Sequence, residues 1–369
     1  MPPTWDPLAG DYATVDGWIR LHTNAPHHRE AALAVVEVPA DKARVAAAVS
    51  QWRADELERA IIDQGGCAAA MRPLDAWREH PQGRSVAGEP LLWWEETNRA
   101  HARSRKVAPG RPLTGIRVLD LTRVLAGPVA TRFLAGFGAE VLRIDPPSWD
   151  EPAVVPEVVL GKRCARLDLR TQDGRARFLG LLREADVLVH GYRPDALARL
   201  GLGVETRREA RPGLIDVSLD AYGWTGPWCG RRGFDSLVQM SSGIADEGMR
   251  RFGKDRPTPL PVQALDHATA YLMAAAVVRG LTRRLTTDCG WAARTSLAKV
   301  AAFLSGAPGP SSGPFRPKEA DDFQRELEVT SWGPALRLKP PVIVEGALMK
   351  WDFPAAALGS STAAWRAAL

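Results

Sequence analysis

The chain has 369 residues, 45% hydrophobic and 25% charged, with 48 Lys and Arg against 43 Asp and Glu and a net charge of +5. That length fits two domains, and that composition excludes a disordered chain. No Lys/Arg-rich run marks a nucleic-acid arm, and no apolar run reaches the ~20 residues of a membrane span, so neither nucleic acid nor membrane is expected as a partner. Cys67, Cys164, Cys229 and Cys289 lie far apart and form no CxxC pair. Neither a zinc site nor a disulfide framework is indicated, and a reduced, cytoplasmic setting is expected. The opening Met1-Pro2-Pro3-Thr4-Trp5-Asp6 lacks the charged-then-apolar pattern of a signal peptide.

The first hundred residues are rich in Trp and mostly helical in pattern. Val45, Ala48, Val49, Trp52, Leu57 and Ala60 recur at near-helical spacing and predict a helix over 43–60. Gln64-Gly65-Gly66 closes the next helical stretch, and 67–71 reads as a short buried strand. A polar stretch with two prolines follows, to Pro112. Strands are then predicted at 116–121, 140–145, 165–169, 186–190 and 214–219, with helices at 129–137, 173–183 and 194–200 between them. This alternation predicts an α/β fold with a doubly wound, mainly parallel sheet. Helices return at 234–242 and 266–284. Residues 305–318 are rich in Gly, Pro and Ser and read as a mobile linker, and the tail has little periodicity.

Such a sheet binds ligands at the carboxyl ends of its strands. The first of these ends, residues 122–128, has one Gly where a dinucleotide fingerprint needs GxGxxG, which disfavours a nicotinamide dehydrogenase. Ala126 and Gly127 still let a ligand approach the backbone and the next helix N-terminus, which favours phosphate, although a plain tight turn fits as well. Lys162 and Arg163, ahead of the third strand, could meet a phosphate or line a solvated loop. Asp266 follows a proline-rich stretch and opens an apolar helix. The positive helix end there keeps a carboxylate ionised, which suits a nucleophile, but Asp is also a common helix cap. His22, His27 and His28 lack the rigid spacing and fourth ligand of a metal site, so no metal is expected. His267 beside Asp266 could be an acid/base partner, but neighbours on a helix face different directions. Trp93-Trp94 reads as core or interface, and Phe234-Asp235 as local structure.

Six motifs together resemble the class III CoA-transferase family (CaiB/BaiF type), which includes formyl-CoA transferase, carnitine CoA-transferase and α-methylacyl-CoA racemase. They are LTGIRVLDLTRVLAGP at 113–128, GAEVLRIDPP at 138–147, and Gly161-Lys162-Arg163 with Leu167-Asp168-Leu169. ADVLV at 185–189 follows, with Arg193-Pro194 and Arg199-Leu200-Gly201; then come Gly223-Trp224-Thr225-Gly226-Pro227, and Gly233-Phe234-Asp235 with Gln239 and Ser242-Gly243. Asp16-Gly17-Trp18-Ile19, residues 65–71, His80-Pro81-Gln82-Gly83 and Glu89-Pro90-Leu91 resemble the family's small domain and the segment after it. That domain normally follows the Rossmann part and here precedes it, as in a permuted chain or a piece of a tandem fusion, and fuller relatives are expected to carry more sequence upstream. Ala357-Leu358-Gly359-Ser360 resembles the family's closing motif. The resemblance implies a small mixed domain at 1–97, a linker at 98–112, and a CoA-binding Rossmann-like domain at 113–304. A flexible linker at 305–325 and a C-terminal segment at 326–369 returning to the large domain complete it.

The resemblance also implies a CoA-transferase that moves CoA from an acyl-CoA to a free carboxylic acid, with Asp266 as the nucleophile. An aspartyl anhydride and then an aspartyl-CoA thioester are the implied intermediates. No cofactor is permanently bound, and the CoA thioester is substrate. Val124, Ala126, Leu167, Arg170, Tyr192, Arg199 and Arg232 fall where the family contacts CoA. A homodimer, of interlocked rings in this family, is the implied assembly. Leu125 replaces a polar residue of some transferases, and the family's glycine-rich lid is not visible. Phe234 stands where racemases carry their catalytic His. A CoA-ester racemase or epimerase of the same family, and a non-catalytic CoA-ester-binding subunit, are the alternatives.

Overall fold

The computed structural model describes residues 3–100, 108–307 and 316–367. Strands β1 (Gly10–Ala13), β2 (Trp18–Leu21) and β3 (Ala68–Ala70) form a small antiparallel sheet. Ile19 and Leu21 bury one face of it against Val45, Val49, Leu57 and Ile61. The helix expected over 43–60 is two helices, Lys42–Val49 and Ala54–Asp63. The break is held from outside: Asp16 Oδ1 accepts the Ala54 N–H at 2.9 Å and so satisfies a free donor of the second helix.

The large sheet contains β4 (Trp93–Arg99), β5 (Arg117–Leu121), β6 (Glu140–Asp145), β7 (Lys162–Arg166), β8 (Val187–His190), β9 (Ile215–Asp220) and β10 (Cys289–Ser296). Their spatial order is β4-β10-β9-β8-β5-β6-β7, all parallel except β4. Successive side chains of a strand point to opposite faces. Val118 and Val187 therefore pack with the helices Ala126–Gly136 and Ala264–Thr287. Leu119 and Leu188 pack with Phe178 and Leu182 of the helix Gln172–Glu184 on the other face. The strand order reverses at β5, between β6 and β8. The crevice outside the carboxyl ends of β5 and β8 is where this architecture leaves room for a ligand.

Strands β4 and β10 carry little sequence signal. The run Gly290-Trp291-Ala292-Ala293 has no alternation, and β4 sets Trp93-Trp94 beside Glu95-Glu96. Each becomes a strand by pairing with a distant segment, Trp94 opposite Ala293 and Ala293 opposite Val217. The third parallel strand also begins earlier than the pattern indicated, at Lys162. Lys162 is therefore neither a phosphate ligand nor a loop cation. Its ammonium is buried and donates to Asp120 Oδ2 at 2.9 Å, the Pro128 carbonyl at 2.8 Å and Thr131 Oγ1 at 2.6 Å. Arg163 points the other way and donates to the Ala364 carbonyl at 2.7 Å.

Of the segments read as linkers, residues 101–107 and 308–315 lie outside the described residues. Residues 320–325 are ordered, as a 3-10 turn (Ala320–Asp322) running into β11 (Phe323–Thr330), which pairs with β12 (Gly333–Leu338). This hairpin turns Leu327, Val329 and Leu336 outward. Its inward side is polar: Arg337 donates to Glu328 at 2.6 Å and to Glu157 at 2.7 Å. The tail runs along the large domain, where the Trp351 and Trp365 indoles donate to the carbonyls of Arg132 and Leu181.

Lys162→Ala should leave Asp120 as an uncompensated buried charge and destabilise the large domain by about 3–5 kcal/mol. Urea unfolding followed by tryptophan fluorescence measures this. A loss under about 1 kcal/mol, the range of surface ion pairs, would contradict the buried network.

Candidate active site

A cleft of about 420 Å³ opens at the carboxyl ends of β5, β8 and β9. The loop after β5 forms one wall, with Thr122, Val124, Ala126 and Gly127. A Cβ on Gly127 would lie 2.3 Å from the Thr122 side chain, so only glycine lets the loop fold onto its helix there. Val124 has φ 64, a left-handed conformation that a β-branched residue adopts only under constraint. The constraint is visible. The Val124 N–H donates to Glu151 Oε2 at 2.8 Å, and Glu151 pairs with the buried Arg143, which pairs in turn with Asp145.

Asp266 lies in the cleft wall and is 8% exposed. It is the third residue of the helix Ala264–Thr287, not its cap. The cap function comes from Asp235, whose Oδ2 accepts the Asp266 N–H at 2.9 Å and whose Oδ1 accepts from Gln239 Nε2 at 2.6 Å. The expectation that the helix end keeps Asp266 ionised is overturned. Burial first, and the Asp235 carboxylate second, push its carboxyl well above the usual range. Asp235 is raised as well, chiefly by burial. Two buried carboxyls in contact through a backbone N–H do not readily hold two negative charges.

The segment that carries the small sheet reaches this cleft. His27 and His28, from the helix Pro26–Val36, stand in its wall. His22 stacks on Phe234 with ring centroids 3.7 Å apart, and His28 Nε2 lies 3.5 Å from Cys67 Sγ. Burial pushes His22 down to about 3 and His28 down to about 4, so both are neutral imidazoles at pH 7. They pack the small domain against the segment that carries Asp235.

Arginines line the opening. The Arg123 guanidinium lies 4.5 Å from the Trp149 ring and 5.6 Å from the Tyr192 ring. Arg231 sits 3.8 Å over Trp228 and pairs with Glu58 at 2.9 Å. Arg232 donates to the Gly65 carbonyl at 2.7 Å, and Arg193 follows β8. Among the described residues no carboxylate pairs with Arg123, Arg193 or Arg232.

Of the residues named from sequence, Val124, Ala126, Tyr192 and Arg232 line the cleft with Asp266. Leu167 does not, although it packs against the same apolar cluster as Tyr192. Arg170 and Arg199 are not brought to the cleft either. Each is exposed and paired with a carboxylate of its own neighbourhood, Arg170 with Asp168 at 2.8 Å and Arg199 with Asp195. Sequence reading missed Arg123, Trp149, Arg193, Arg231 and the two histidines. Arg123 and Arg193 had a usable signal, since each stands just beyond a strand at the point where the sheet order reverses. His27 and His28 had none, because they arrive on a helix packed with the small sheet, remote in sequence from the strands that carry the cleft.

The family model for CoA-transferase family III matches residues 113–320, and the chain belongs to that family. It is 33% identical over 190 residues to a probable fatty acyl-CoA transferase, Rv3272, of Mycobacterium tuberculosis, covering 48% of each chain. It is 34% identical over 223 residues to succinyl-CoA:glutarate CoA-transferase of Mus musculus, covering 56% of this chain and 49% of that one. A crystal structure of Rv3272 superposes with TM-score 0.50 at 32% identity, over 54% of this chain and 58% of that one. The chain spans about a third to a half of the length of the curated relatives it matches.

Asp235→Asn keeps an acceptor for the helix N–H groups and removes the neighbouring charge. The Asp266 midpoint should then move down toward the ordinary carboxyl range, read by carbon NMR of labelled aspartate across a pH series. An unchanged midpoint would show that the two carboxyls are not coupled.

Proposed function

We propose that the cleft transfers CoA from an acyl-CoA thioester to a free carboxylic acid, with Asp266 as covalent nucleophile. The observation that carries this reading is the position of Asp266: a buried carboxyl in the ligand crevice of the sheet, within the segment that matches the family. Relatives named as CoA-transferases for succinyl-CoA with glutarate and with D-citramalate support the reaction class.

In this reading an Asp266 carboxylate oxygen attacks the thioester carbonyl carbon. The carbon–sulfur bond breaks, and CoA leaves as thiolate with the electron pair. The thiolate then attacks the aspartyl carbonyl of the mixed anhydride, releasing the donor acid and leaving an aspartyl-CoA thioester. The acceptor carboxylate attacks that thioester, and returning CoA thiolate resolves the second anhydride. Each covalent state of Asp266 is uncharged. A wall that disfavours its carboxylate therefore favours the anhydride and the thioester by comparison. The same burial makes the ionised form more basic and a stronger nucleophile.

The reading places CoA phosphates at the arginines of the opening, Arg123, Arg193 and Arg232, which have no competing carboxylate among the described residues. Arg170 and Arg199, implied by the family resemblance, are the rival positions. The reading includes a homodimer, and the outward apolar residues Leu327, Val329 and Leu336 support a further contact between chains. Phe234 in place of a histidine weighs against a racemase.

Intact mass after incubation with an acyl-CoA tests the covalent step. Acyl or CoA mass should appear on the wild-type chain and be absent from Asp266→Ala, whose turnover should fall by at least ~10³-fold. A folded Asp266→Ala protein that keeps a tenth of the turnover would sink the assignment.

The phosphate assignment is tested by calorimetric titration of CoA. Arg193→Ala should weaken CoA by about 1.5–3 kcal/mol, the range for a hydrogen bond to a charged group, or roughly 10- to 100-fold. Arg170→Ala and Arg199→Ala should change it little, and the opposite ranking returns the phosphates to those two residues.

A further inference from the structure

Asp220 is a carboxyl group that the reaction above leaves unused. It is the last residue of β9 and lines the same cleft as Asp266. It is 8% exposed. Its Oδ1 accepts the Gly223 N–H at 2.8 Å, while its Oδ2 is buried and has no hydrogen-bond partner. Of the unpartnered buried carboxyl oxygens among the described residues, this one belongs to a residue that lines the cleft, where a ligand is within reach.

The charged and titratable groups around it are few. Glu89, from the segment after the helix Pro81–Gly88, accepts the N–H groups of Trp224 and Thr225 on the turn that follows Asp220. Arg294 of β10 lies between the Trp93 and Trp224 rings, and the Cys229 thiol completes the set. Burial, reinforced by Glu89 and only partly opposed by Arg294, pushes the Asp220 carboxyl up to about 8. At pH 7 it is mainly the neutral acid. Since Oδ1 already accepts from Gly223, the hydroxyl belongs on Oδ2, where it is a donor without an acceptor.

We infer that Asp220 donates a hydrogen bond from Oδ2 to the acyl carbonyl oxygen of a bound CoA thioester. The inference rests on the CoA-transfer reading. A neutral acid suits a carbonyl oxygen, which offers lone pairs and carries no charge. When Asp266 attacks the carbonyl carbon, the electron pair of the C=O bond moves onto that oxygen. A donor held there strengthens its bond as the charge develops and relaxes it when the carbonyl re-forms. No proton needs to leave Asp220 in either direction.

The test is done in the full chain carrying Asp266→Ala, where no covalent step intervenes, with acetyl-CoA and free CoA as calorimetric probes. Adding Asp220→Ala should weaken acetyl-CoA about 10-fold, the order of one lost hydrogen bond, and leave free CoA unchanged. Adding Asp220→Asn, close to Asp in shape and still a donor, should keep acetyl-CoA binding at every pH. The protein with Asp220 intact should lose that binding as pH rises through about 8, because the donor is then deprotonated. Asp266, His27 and His28 also face the cleft, and Asp235 lies buried behind Asp266, so the Asn variant is what assigns the pH dependence to Asp220. Equal weakening of both probes, no weakening of either, or an unchanged pH dependence in Asp220→Asn overturns the inference. If neither probe binds even with Asp220 intact, the CoA reading itself falls, and that outcome is distinct from the other three. Should Asp220→Ala not fold, the comparison of Asp220 with Asn decides alone.

Discussion

The cleft stands on Asp120. This carboxylate lies fully buried in β5 and binds three elements at once. Oδ1 accepts the Thr122 N–H and hydroxyl of the loop, and Oδ2 accepts from Thr131 of the following helix and from Lys162 of β7. Lys162 returns two further bonds to that helix, at Pro128 and Thr131. Burying an ion pair costs several kcal/mol per ion, and the cost is offset only when the remaining donors and acceptors are satisfied. Here the bonds to Thr122, Thr131 and Pro128 supply that. The arrangement fixes how the loop leaves the sheet. Every residue from Thr122 to Gly127 that faces the cleft inherits its position from it.

A second buried network handles the strain that this position creates. Val124 must take a left-handed backbone to bring the loop over the crevice. Glu151 holds its N–H, and Arg143 with Asp145 holds Glu151. Both networks hold the loop through groups other than the two cleft carboxyls Asp266 and Asp220. These two are buried without cations in contact, and both are pushed toward their neutral forms. The cations collect further out, on Arg123, Arg193, Arg231 and Arg232. The cleft therefore sets carboxyls shifted upward by burial in a wall whose other charged side chains are arginines.

The neutral histidines tie this interior to the small domain. Their imidazoles are too buried to charge, and they serve as flat aromatic surface against Phe234, next to Asp235. Phe234 is thus stacked on a histidine that arrives from the segment of the small sheet.

Much of this molecule was legible in the chain. Strands β5, β6, β8 and β9 are short apolar runs bounded by Gly, Pro and Asp, and such strands, buried on both faces, announce themselves in composition. Asp266 was legible because a proline-rich stretch ends just before an apolar helix. The edge of the sheet was not legible: β4 and β10 have no alternation and become strands only through partners remote in sequence. The hairpin β11–β12 escaped for the opposite reason, since its apolar side faces out and its ion-paired side faces in. Charge was the least readable property of all. Sequence spacing made Lys162 a loop cation and the helix end a stabiliser of ionised Asp266. Folding buried Lys162 against Asp120 and set Asp235 beside Asp266, and burial together with neighbouring charge, both products of tertiary contact, decides which groups are ionised. The sequence alone therefore determined the family, the parallel core and the place of Asp266 at the start of an apolar helix. Only the tertiary structure decided which arginines lack a carboxylate partner among the described residues and which carboxyls are shifted upward, because both depend on distances between segments that no local pattern encodes.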